Sequence, residues 1–274
     1  MAASDVTSGP HVDEPMGQAP ALELDEYEFE EEEPGGTMTL VEHLEELRRR
    51  LIISALALVV ATILSFFFWE PILRFLLTPL PTISNKLTGF DGHKLVASSP
   101  LEPFTVALKL SFAVGVCLAT PVVLYQLWGF ISPGLTRKER KYALPFTLLG
   151  AALFVVGLAV GFLVLRYPMD WLIHFGNGDF ILLLNASSYF SFVAFFLLAF
   201  GIVFELPLLI TFLGIVGIVS SAWLRKRQKY ILFGLWLLSC FITPGADPFS
   251  PLIIGVSFTV LFELSLLLLR VLKK

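Results

Sequence analysis

Long runs of apolar residues dominate the pattern of hydrophobic and polar positions along the chain, and short charged segments separate them. A helix needs about 20 consecutive apolar residues to cross a hydrocarbon core that is ~30 Å thick. The runs therefore predict an all-α integral membrane protein with six transmembrane helices and no large soluble domain. The predicted spans cover residues 51–69, 104–130, 143–165, 188–213, 230–242 and 252–269.

The last two predicted spans are short. Residues 230–242 provide about 13 residues of apolar helix, or roughly 20 Å at ~1.5 Å per residue. Glu263 interrupts the last apolar run and shortens its uncharged part. We expect this pair of helices to thin the bilayer locally or to lie shallowly in it. The alternative is that the boundary of the fifth span lies several residues away.

Local signals predict where helices begin and where they pack. Residues 39–42 have the form of a capping box, and leucines at helical spacing follow them, so an amphipathic helix should lead into the first span. The segment 70–103, which mixes Pro, Gly and Ser, is interpreted as a long connection. Gly157 and Gly161 have the small-residue spacing that is typical of close helix packing in membranes.

Composition supports a membrane protein and argues against an enzyme. Hydrophobic residues make up 56% of the 274 residues and charged residues only 15%, whereas soluble domains carry about 25% charged residues. The common motifs of zinc proteases, nucleotide-binding loops and serine hydrolases are absent from the sequence. Cys117 and Cys240 both lie in apolar runs, where they are interpreted as core residues. We predict no enzymatic activity, cofactor or metal site.

The amino-terminal segment 1–36 differs in composition from the rest of the chain. It contains 11 of the 23 acidic residues and no Lys or Arg. Such a segment cannot bury enough apolar surface to offset the loss of chain entropy, so we predict that it is disordered. The remainder, 37–274, is the six-helix membrane domain. Its basic net charge suits a protein that lies against anionic lipid.

The distribution of Lys and Arg predicts the orientation in the membrane. Cytoplasmic loops carry an excess of these residues, and 14 of the 19 fall on one predicted side. Both termini and the second and fourth connections should therefore be cytoplasmic. The 14 residues are Arg48, Arg49, Arg50, Arg137, Lys138, Arg140, Lys141, Arg225, Lys226, Arg227, Lys229, Arg270, Lys273 and Lys274.

Two acidic residues lie among these basic clusters. Glu46 precedes Arg50 by four residues, as Glu45 precedes Arg49, and such pairs contribute about 0.2–0.5 kcal/mol in a helix. Glu139 has two basic residues on each side and can be a solvated loop charge. Spacing alone favours these local interpretations. The functional alternative is that Glu46 and Glu139 together bind a cationic segment through charge-assisted hydrogen bonds.

Glu205 lies deep in the fourth predicted span, two residues before Pro207. A carboxylate at mid-helix costs roughly 2.5–3.5 kcal/mol, so such residues face protein or water and usually mark function. Pro207 frees the carbonyl oxygen of Val203, which predicts a kink and a polar notch beside the acid. The structural alternative is a hydrogen bond from a hydroxyl group on another helix.

In their order along the six spans, these features resemble the TatC family, the multispanning subunit of the twin-arginine protein translocase. The likeness covers about residues 38–272. Each motif alone is weak, but the ordered set is specific. The motifs are residues 43–50, 99–104 with Lys109, 119–128, 131–135, 138–140, 188–192, 199–201, 204–207, Thr243 with Pro244 and Asp247, and 261–263.

The resemblance implies a function. Family members bind amino-terminal signal peptides that carry consecutive arginines, and their signal-binding acids match Glu46 and Glu139. With small single-span partners of the TatA and TatB type, they export folded proteins across the prokaryotic plasma (inner) membrane by using the proton-motive force. A receptor of this kind is expected to form homo- and hetero-oligomers in the lipid bilayer and to bind no nucleic acid.

The resemblance also implies roles for residues outside the signal-binding site. The intramembrane acid of the family matches Glu205, and the proline of its first external loop matches Pro79. The polar region that contacts a partner's transmembrane helix maps near Thr243 and Asp247. Some members have Gln where this chain has Pro251, so that contact is not carried over.

Two other classes of protein are less consistent with the sequence. A secondary transporter of a small solute would also place an acid in the membrane, but it normally has repeated halves with paired broken helices. Residues 38–140 and 141–272 show no such self-similarity. An intramembrane enzyme would need a nucleophile with its base, or a metal-binding set, inside the predicted spans, and the sequence contains neither.

Overall fold

The computed structural model describes residues 40–80, 95–131, 143–175, 184–215, 217–243 and 247–271. Apart from turns and short extended stretches, these residues are helical, with an isolated parallel bridge between Val96 and Asn185. The predicted tail 1–36 lies outside them, so its disorder stays a prediction. The described helices are α1 Leu40–Phe66, α2 Trp69–Leu76, α3 Glu102–Ile131, α4 Ala143–Val164, α5 Arg166–His174, α6 Ala186–Val203, α7 Leu206–Ile215, α8 Ser221–Ile242 and α9 Phe249–Val271.

Five stretches of the described residues are long and apolar enough to cross a membrane, and they match five of the predicted spans. Helix α1 extends the first span towards the amino end, as the leucine spacing predicts. The α6 and α7 helices together form the fourth. The five stretches are Val41–Phe66, Glu102–Phe130, Leu144–His174, Ala186–Ile215 and Phe249–Val271.

The predicted fifth span, 230–242, forms the second part of α8. The first part of that helix carries the basic cluster that ends at Lys229, and this charge keeps α8 out of the set of five apolar stretches. Helix α9 continues through Glu263, whose carboxylate accepts a hydrogen bond from Gln228 of α8. Cys240 on α8 is exposed, so the expectation that both cysteines are core residues is wrong for Cys240.

Two short helices lie in segments that the sequence pattern left as connections. Residues 70–103 are not irregular throughout, because α2 occupies their beginning, and α5 follows α4 directly. Each of these helices has proline at its third residue, Pro71 in α2 and Pro168 in α5. Proline is tolerated in the first turn because its missing N–H would have no partner inside the helix. The positions of these two prolines could therefore have indicated the starts of α2 and α5 from the sequence alone.

Helix α3 packs against α1, α2, α4 and α6, and close contacts at glycines hold these helices together. A Cβ atom at Gly157 of α4 would lie 2.6 Å from the Phe200 carbonyl oxygen of α6, and one at Gly161 would lie 2.8 Å from the Phe200 Cβ. The packing role predicted for the two glycines is therefore confirmed. Phe196 and Phe200 are fully buried at this interface.

The fourth span is broken where the sequence predicts a kink. Helix α6 ends at Val203, and α7 begins at Leu206. Glu205 lies in the turn between them, where its N–H donates to the Ile202 carbonyl oxygen over 3.0 Å. Because Pro207 has no N–H to continue the helix, the carbonyl oxygen of Val203 lacks its usual partner.

Aromatic contacts show which helix ends lie together. His43 near the start of α1 stacks on Phe130 near the end of α3, with ring centroids 4.4 Å apart. Phe66 at the end of α1 contacts Phe104 at the start of α3, with centroids 6.4 Å apart. Helices α1 and α3 are therefore antiparallel. We call the end with His43 the basic end, because Arg48, Arg49 and Arg50 follow it, and the end with Phe66 the opposite end.

Candidate functional site: an acidic side chain at the basic end

Glu46 lies on α1 at the basic end, where Arg50 of the next helical turn binds it. Arg50 donates from Nε to Glu46 Oε1 over 2.9 Å and from Nη2 to the same oxygen over 2.5 Å. Both side chains are mostly shielded, with 19% of Glu46 and 22% of Arg50 exposed. The i,i+4 pair predicted from spacing is confirmed, and it is better shielded than an ordinary surface pair.

Residues of α3 lie beside this ion pair. Arg50 Nη1 lies 3.4 Å from Gln126 Oε1, which makes a long hydrogen bond across the two helices. A Cβ atom at Gly129 would overlap the Arg50 guanidinium, so the absence of a side chain at this position makes room for the arginine. The second carboxylate oxygen, Glu46 Oε2, is buried and has no hydrogen-bond partner among the residues that the structure describes. Glu46 therefore has one occupied and one unoccupied acceptor atom.

The other acids near this cluster differ from Glu46. Glu45 and Arg49 are both exposed, and no ion pair joins them among the described contacts. The pair expected from their spacing is therefore absent. Glu139, the second predicted signal-binding acid, lies outside the described residues, so its proximity to Glu46 stays a prediction.

Glu205 points from the helix break towards α4. A Cβ atom at Gly150 of α4 would lie 3.0 Å from Glu205 Oε2, 3.0 Å from the Leu124 side chain of α3 and 3.0 Å from the Leu208 side chain of α7. Glu205 Oε1 is buried, and no described residue forms a hydrogen bond with it. The hydroxyl partner that the structural alternative requires is absent from the described residues. This acid is held in an apolar setting at the junction of three helices.

Trp128 is a residue near this junction that sequence reasoning did not single out. Its ring packs between Phe146 of α4 and Phe212 of α7, at centroid distances of 5.0 Å and 4.5 Å. Only 5% of Trp128 is exposed, and its indole Nε1 has no hydrogen-bond partner among the described residues. Buried indole N–H groups normally find a partner. The sequence signal was weak, because an aromatic residue near a span end reads as an interfacial anchor.

The residues implied for contact with a partner helix do not form one cluster. Thr243 ends α8, where its N–H donates to the Ser239 carbonyl oxygen over 3.2 Å. Asp247 is buried and caps α9, with Oδ1 accepting from the Ser250 N–H over 2.6 Å, while its Oδ2 has no hydrogen-bond partner in the described part of the chain. Both lie at the α8–α9 connection, whereas Glu205 lies at the break between α6 and α7.

Pro79 lies in the turn that follows α2 at the opposite end. Thr78 Oγ1 donates to the Phe75 carbonyl oxygen over 2.6 Å, and Leu80, only 2% exposed, closes the turn. The Tyr189 hydroxyl of α6 donates to the Leu76 carbonyl oxygen over 2.7 Å. This turn is therefore attached to the core, and the structural role of Pro79 itself stays a prediction.

Glu102 is a second residue that sequence reasoning missed. It is buried at the start of α3, where Oε2 accepts from the Ser98 N–H over 2.5 Å and Oε1 accepts from the Ser187 N–H over 2.8 Å. The nearby Lys109 Nζ donates to Ser187 Oγ over 2.8 Å and to Ser191 Oγ over 3.1 Å. These bonds join α3 to the start of α6. The sequence feature that could have identified Glu102 is Ser99, three residues before it, because Ser and Glu at this spacing have the form of a capping box.

Among the described residues, no group of three or more His, Cys, Asp and Glu side chains is arranged to hold a metal ion. The polar groups that stand out are instead single acids in apolar or basic surroundings. Such groups suit recognition of a cation or of a polar side chain on another helix.

Comparison with known proteins agrees with the sequence resemblance. The family model described as Sec-independent protein translocase protein (TatC) matches residues 42–256. A Sec-independent protein translocase protein TatC from Carboxydothermus hydrogenoformans is 34% identical over 86% of this chain and 94% of that protein. The corresponding protein from Corynebacterium kroppenstedtii is 32% identical over 87% of this chain, which spans 63% of that relative's length.

Solved structures show the same fold. A crystal structure of the twin-arginine translocase receptor TatC superposes with a TM-score of 0.71 and 30% sequence identity, covering 85% of this chain and all of that chain. A second structure of this receptor, in the detergent DDM, gives a TM-score of 0.70 and 31% identity. With several apolar helices and these matches over most of its length, the chain is a multi-pass membrane protein that belongs to the TatC family.

Proposed function

We propose that this chain is the receptor and core subunit of a twin-arginine translocase. It binds signal peptides that carry consecutive arginines at its basic end. Together with small single-span partners of the TatA and TatB type, it exports folded proteins and uses the proton-motive force. The comparisons favour this function over the transport of a small solute, because the relatives that match are named as protein translocase components. Those names also support the prediction that the chain is not an enzyme.

The observation that carries the proposal is the bond between Glu46 and the Arg50 guanidinium. In this bond the carboxylate accepts the guanidinium of Arg50 in the shielded setting between α1 and α3, which supports the proposal that it can accept one from a peptide. A guanidinium presents five N–H donors in a planar fork, whereas an ammonium is a point charge with three rotating donors. A site built for the fork should therefore prefer arginine to lysine. We propose Glu139 as the second acid, which binds the other arginine.

The proposed orientation follows from charge. With both termini in the cytoplasm, the basic end faces the compartment from which a signal peptide arrives, and the membrane is the prokaryotic plasma membrane. Helix α8 then completes a six-span protein, although its apolar part is short. Local thinning of the bilayer would accommodate this short α8–α9 pair.

We assign the contact with partner helices to polar groups that the protein itself leaves unpaired. Within the described ranges, Glu205 Oε1 and Asp247 Oδ2 are both buried without hydrogen-bond partners. An unpaired polar group in an apolar setting is costly, so a polar side chain on a partner's helix would be stabilised there. Thr243 belongs to the same proposed surface as Asp247, and we assign Pro79 a structural role in the loop. Assembly into homo- and hetero-oligomers follows from such contacts.

Crosslinking in native membranes tests this function. A photo-reactive amino acid at position 45, beside Glu46, should capture a twin-arginine signal peptide added from the cytoplasmic side. A peptide with two lysines at the same positions is the matched control and should be captured much less. Equal capture of both peptides, or uptake of a small solute without any peptide binding, would contradict the proposal.

A further inference from the structure

Arg50 occupies the carboxylate that the proposed function assigns to the signal peptide. Two of its donors, Nε and Nη2, bind the same oxygen, Glu46 Oε1, at 2.9 Å and 2.5 Å. The other oxygen, Oε2, is buried, so a ligand from the aqueous side does not reach it in this arrangement. Both acceptor atoms of Glu46 are thus closed to a second guanidinium, one by an internal arginine and one by burial.

The Arg50 side chain is partly buried against α3 and is not a freely moving surface side chain. Its guanidinium also reaches Gln126 of α3 through Nη1, over 3.4 Å, and only 22% of the side chain is exposed. Gly129 makes room for it, because a Cβ atom there would overlap the guanidinium. On α3, Gln126 therefore contacts this arginine, and Gly129 leaves room for it beside Glu46.

We infer that Arg50 is an internal competitor for Glu46, which an arriving signal peptide must displace before its own arginine binds there. The inference rests on the proposed function. Exchange of one guanidinium for another conserves the charge and the hydrogen bonds on Glu46, so the displacement has a small cost. Gln126 remains available as an acceptor for the displaced Arg50, which keeps that side chain between α1 and α3.

Competition by Arg50 lowers the affinity for every peptide that uses Glu46, but it does not change the preference for arginine over lysine. Every ligand that uses Glu46 has to displace Arg50, so twin-arginine and twin-lysine peptides lose affinity by the same factor. The ratio of their affinities is unchanged. The absolute affinity of weakly bound basic segments falls, which reduces occupation of the receptor by generic basic peptides.

Substitutions of Arg50 distinguish a competing role from a supporting role, because the two roles predict opposite changes in peptide affinity. In the full chain in lipid nanodiscs, Arg50→Gln should tighten the binding of a labelled twin-arginine peptide by about three- to tenfold, since the competing ion pair is part-exposed. The affinity for the twin-lysine peptide should rise by a similar factor. If Arg50 merely orients Glu46, the same substitution weakens binding.

Two controls separate competition from charge and from folding. Arg49→Gln removes the same charge one residue away, from an exposed side chain that makes no ion pair with Glu45, and it reports the effect of local potential alone. Arg50→Lys keeps the charge but loses the fork, and it should also bind more tightly than the wild-type chain. If Arg50→Gln fails to fold, the Arg50→Lys comparison carries the same prediction.

The outcomes separate failure of the inference from failure of the proposed function. Tightening at position 50 that exceeds the effect of Arg49→Gln, and that disappears when Glu46→Gln is also present, supports the competitor. Binding that depends on Glu46 but is equal or weaker in both Arg50 variants overturns it and leaves the receptor function standing. Wild-type binding that does not depend on Glu46 overturns both.

Discussion

Glu46 lies at the basic end of the helix bundle and Glu205 lies inside it, and the surroundings of these two acidic residues differ. Glu46 is paired with a neighbouring arginine, whereas Glu205 has one buried oxygen that no described residue contacts through a hydrogen bond. A buried, unpaired carboxyl group destabilises a folded protein, since its desolvation is not compensated. Its presence at a helix break therefore supports the proposal that a partner helix contacts it.

Substitution of Glu205 tests this interpretation. Glu205→Ala should impair partner-helix assembly or transport, because the polar group that a partner would contact is removed. It should not lower the thermal unfolding temperature of the isolated chain, since no hydrogen bond of Oε1 is lost. Export of a folded reporter and co-purification of the small partners measure the first effect.

The signal-peptide site serves as the control for Glu205. Twin-arginine peptide binding should remain measurable in Glu205→Ala, since Glu46 lies on a different helix. Normal export by this variant would show that the acid is dispensable for transport.

At the residue scale, the sequence predicts contacts that lie within one helical turn. The Glu46–Arg50 pair is of this kind, because positions i and i+4 lie on one helix face. The same rule was wrong for Glu45 and Arg49, where both side chains remain in water and exposed pairs gain little. Contacts between distant helices, such as Arg50 with Gln126, require the register of α1 against α3. A single sequence does not contain that register.

At the scale of helices, glycine has two opposite roles in this protein. Gly157 of α4 is in close contact with α6, whereas a Cβ atom at Gly234 of α8 would meet no atom within 4 Å. In a helix, alanine is favoured over glycine by about 1 kcal/mol when nothing opposes it. The two positions therefore form a matched pair for substitution.

Gly157→Ala should lower the free energy of unfolding by about 1–3 kcal/mol, because the new methyl group overlaps the Phe200 carbonyl oxygen. Gly234→Ala should be neutral or slightly stabilising. Thermal unfolding of both variants in the same detergent measures the difference. Equal effects at the two positions would contradict the packing of α4 against α6.

Apolar length and proline position account for what the sequence predicts at this scale. Five spans follow from long apolar runs, and the break of the fourth follows from Pro207. Helices α2 and α5 were missed because each is short and amphipathic, with proline in its first turn, and so resembles a connection. The remaining difference is α8, whose basic start makes a 22-residue helix look like a 13-residue apolar segment.

For the whole molecule, charge is distributed unevenly between the tail and the membrane domain. The acidic segment 1–36 has no Lys or Arg and lacks apolar periodicity, so neither folding nor insertion of the helices should need it. Deletion of residues 1–36 should leave membrane insertion and export unchanged. Protease accessibility of the connections and export of a reporter measure the two properties. Loss of insertion on deletion would refute this view of the tail.

The central claim is that acids at the basic end bind the twin-arginine signal peptide. Each charge-assisted hydrogen bond to an arginine contributes about 1.5–3 kcal/mol before solvent exposure reduces it, and ~1.4 kcal/mol corresponds to a tenfold change in affinity. Neutralising Glu46 or Glu139 should therefore weaken binding about tenfold or more. Glu45, about 100° around the helix from Glu46, should matter much less.

One set of binding isotherms tests this claim most directly. The affinity of the same labelled twin-arginine peptide is measured for Glu45→Gln, Glu46→Gln and Glu139→Gln in the full chain, with thermal unfolding to show that each variant is folded. We expect large losses at positions 46 and 139 and a small one at position 45. Equal, small losses at all three positions would mean that a diffuse surface potential attracts the peptide, and the two-carboxylate site would be wrong.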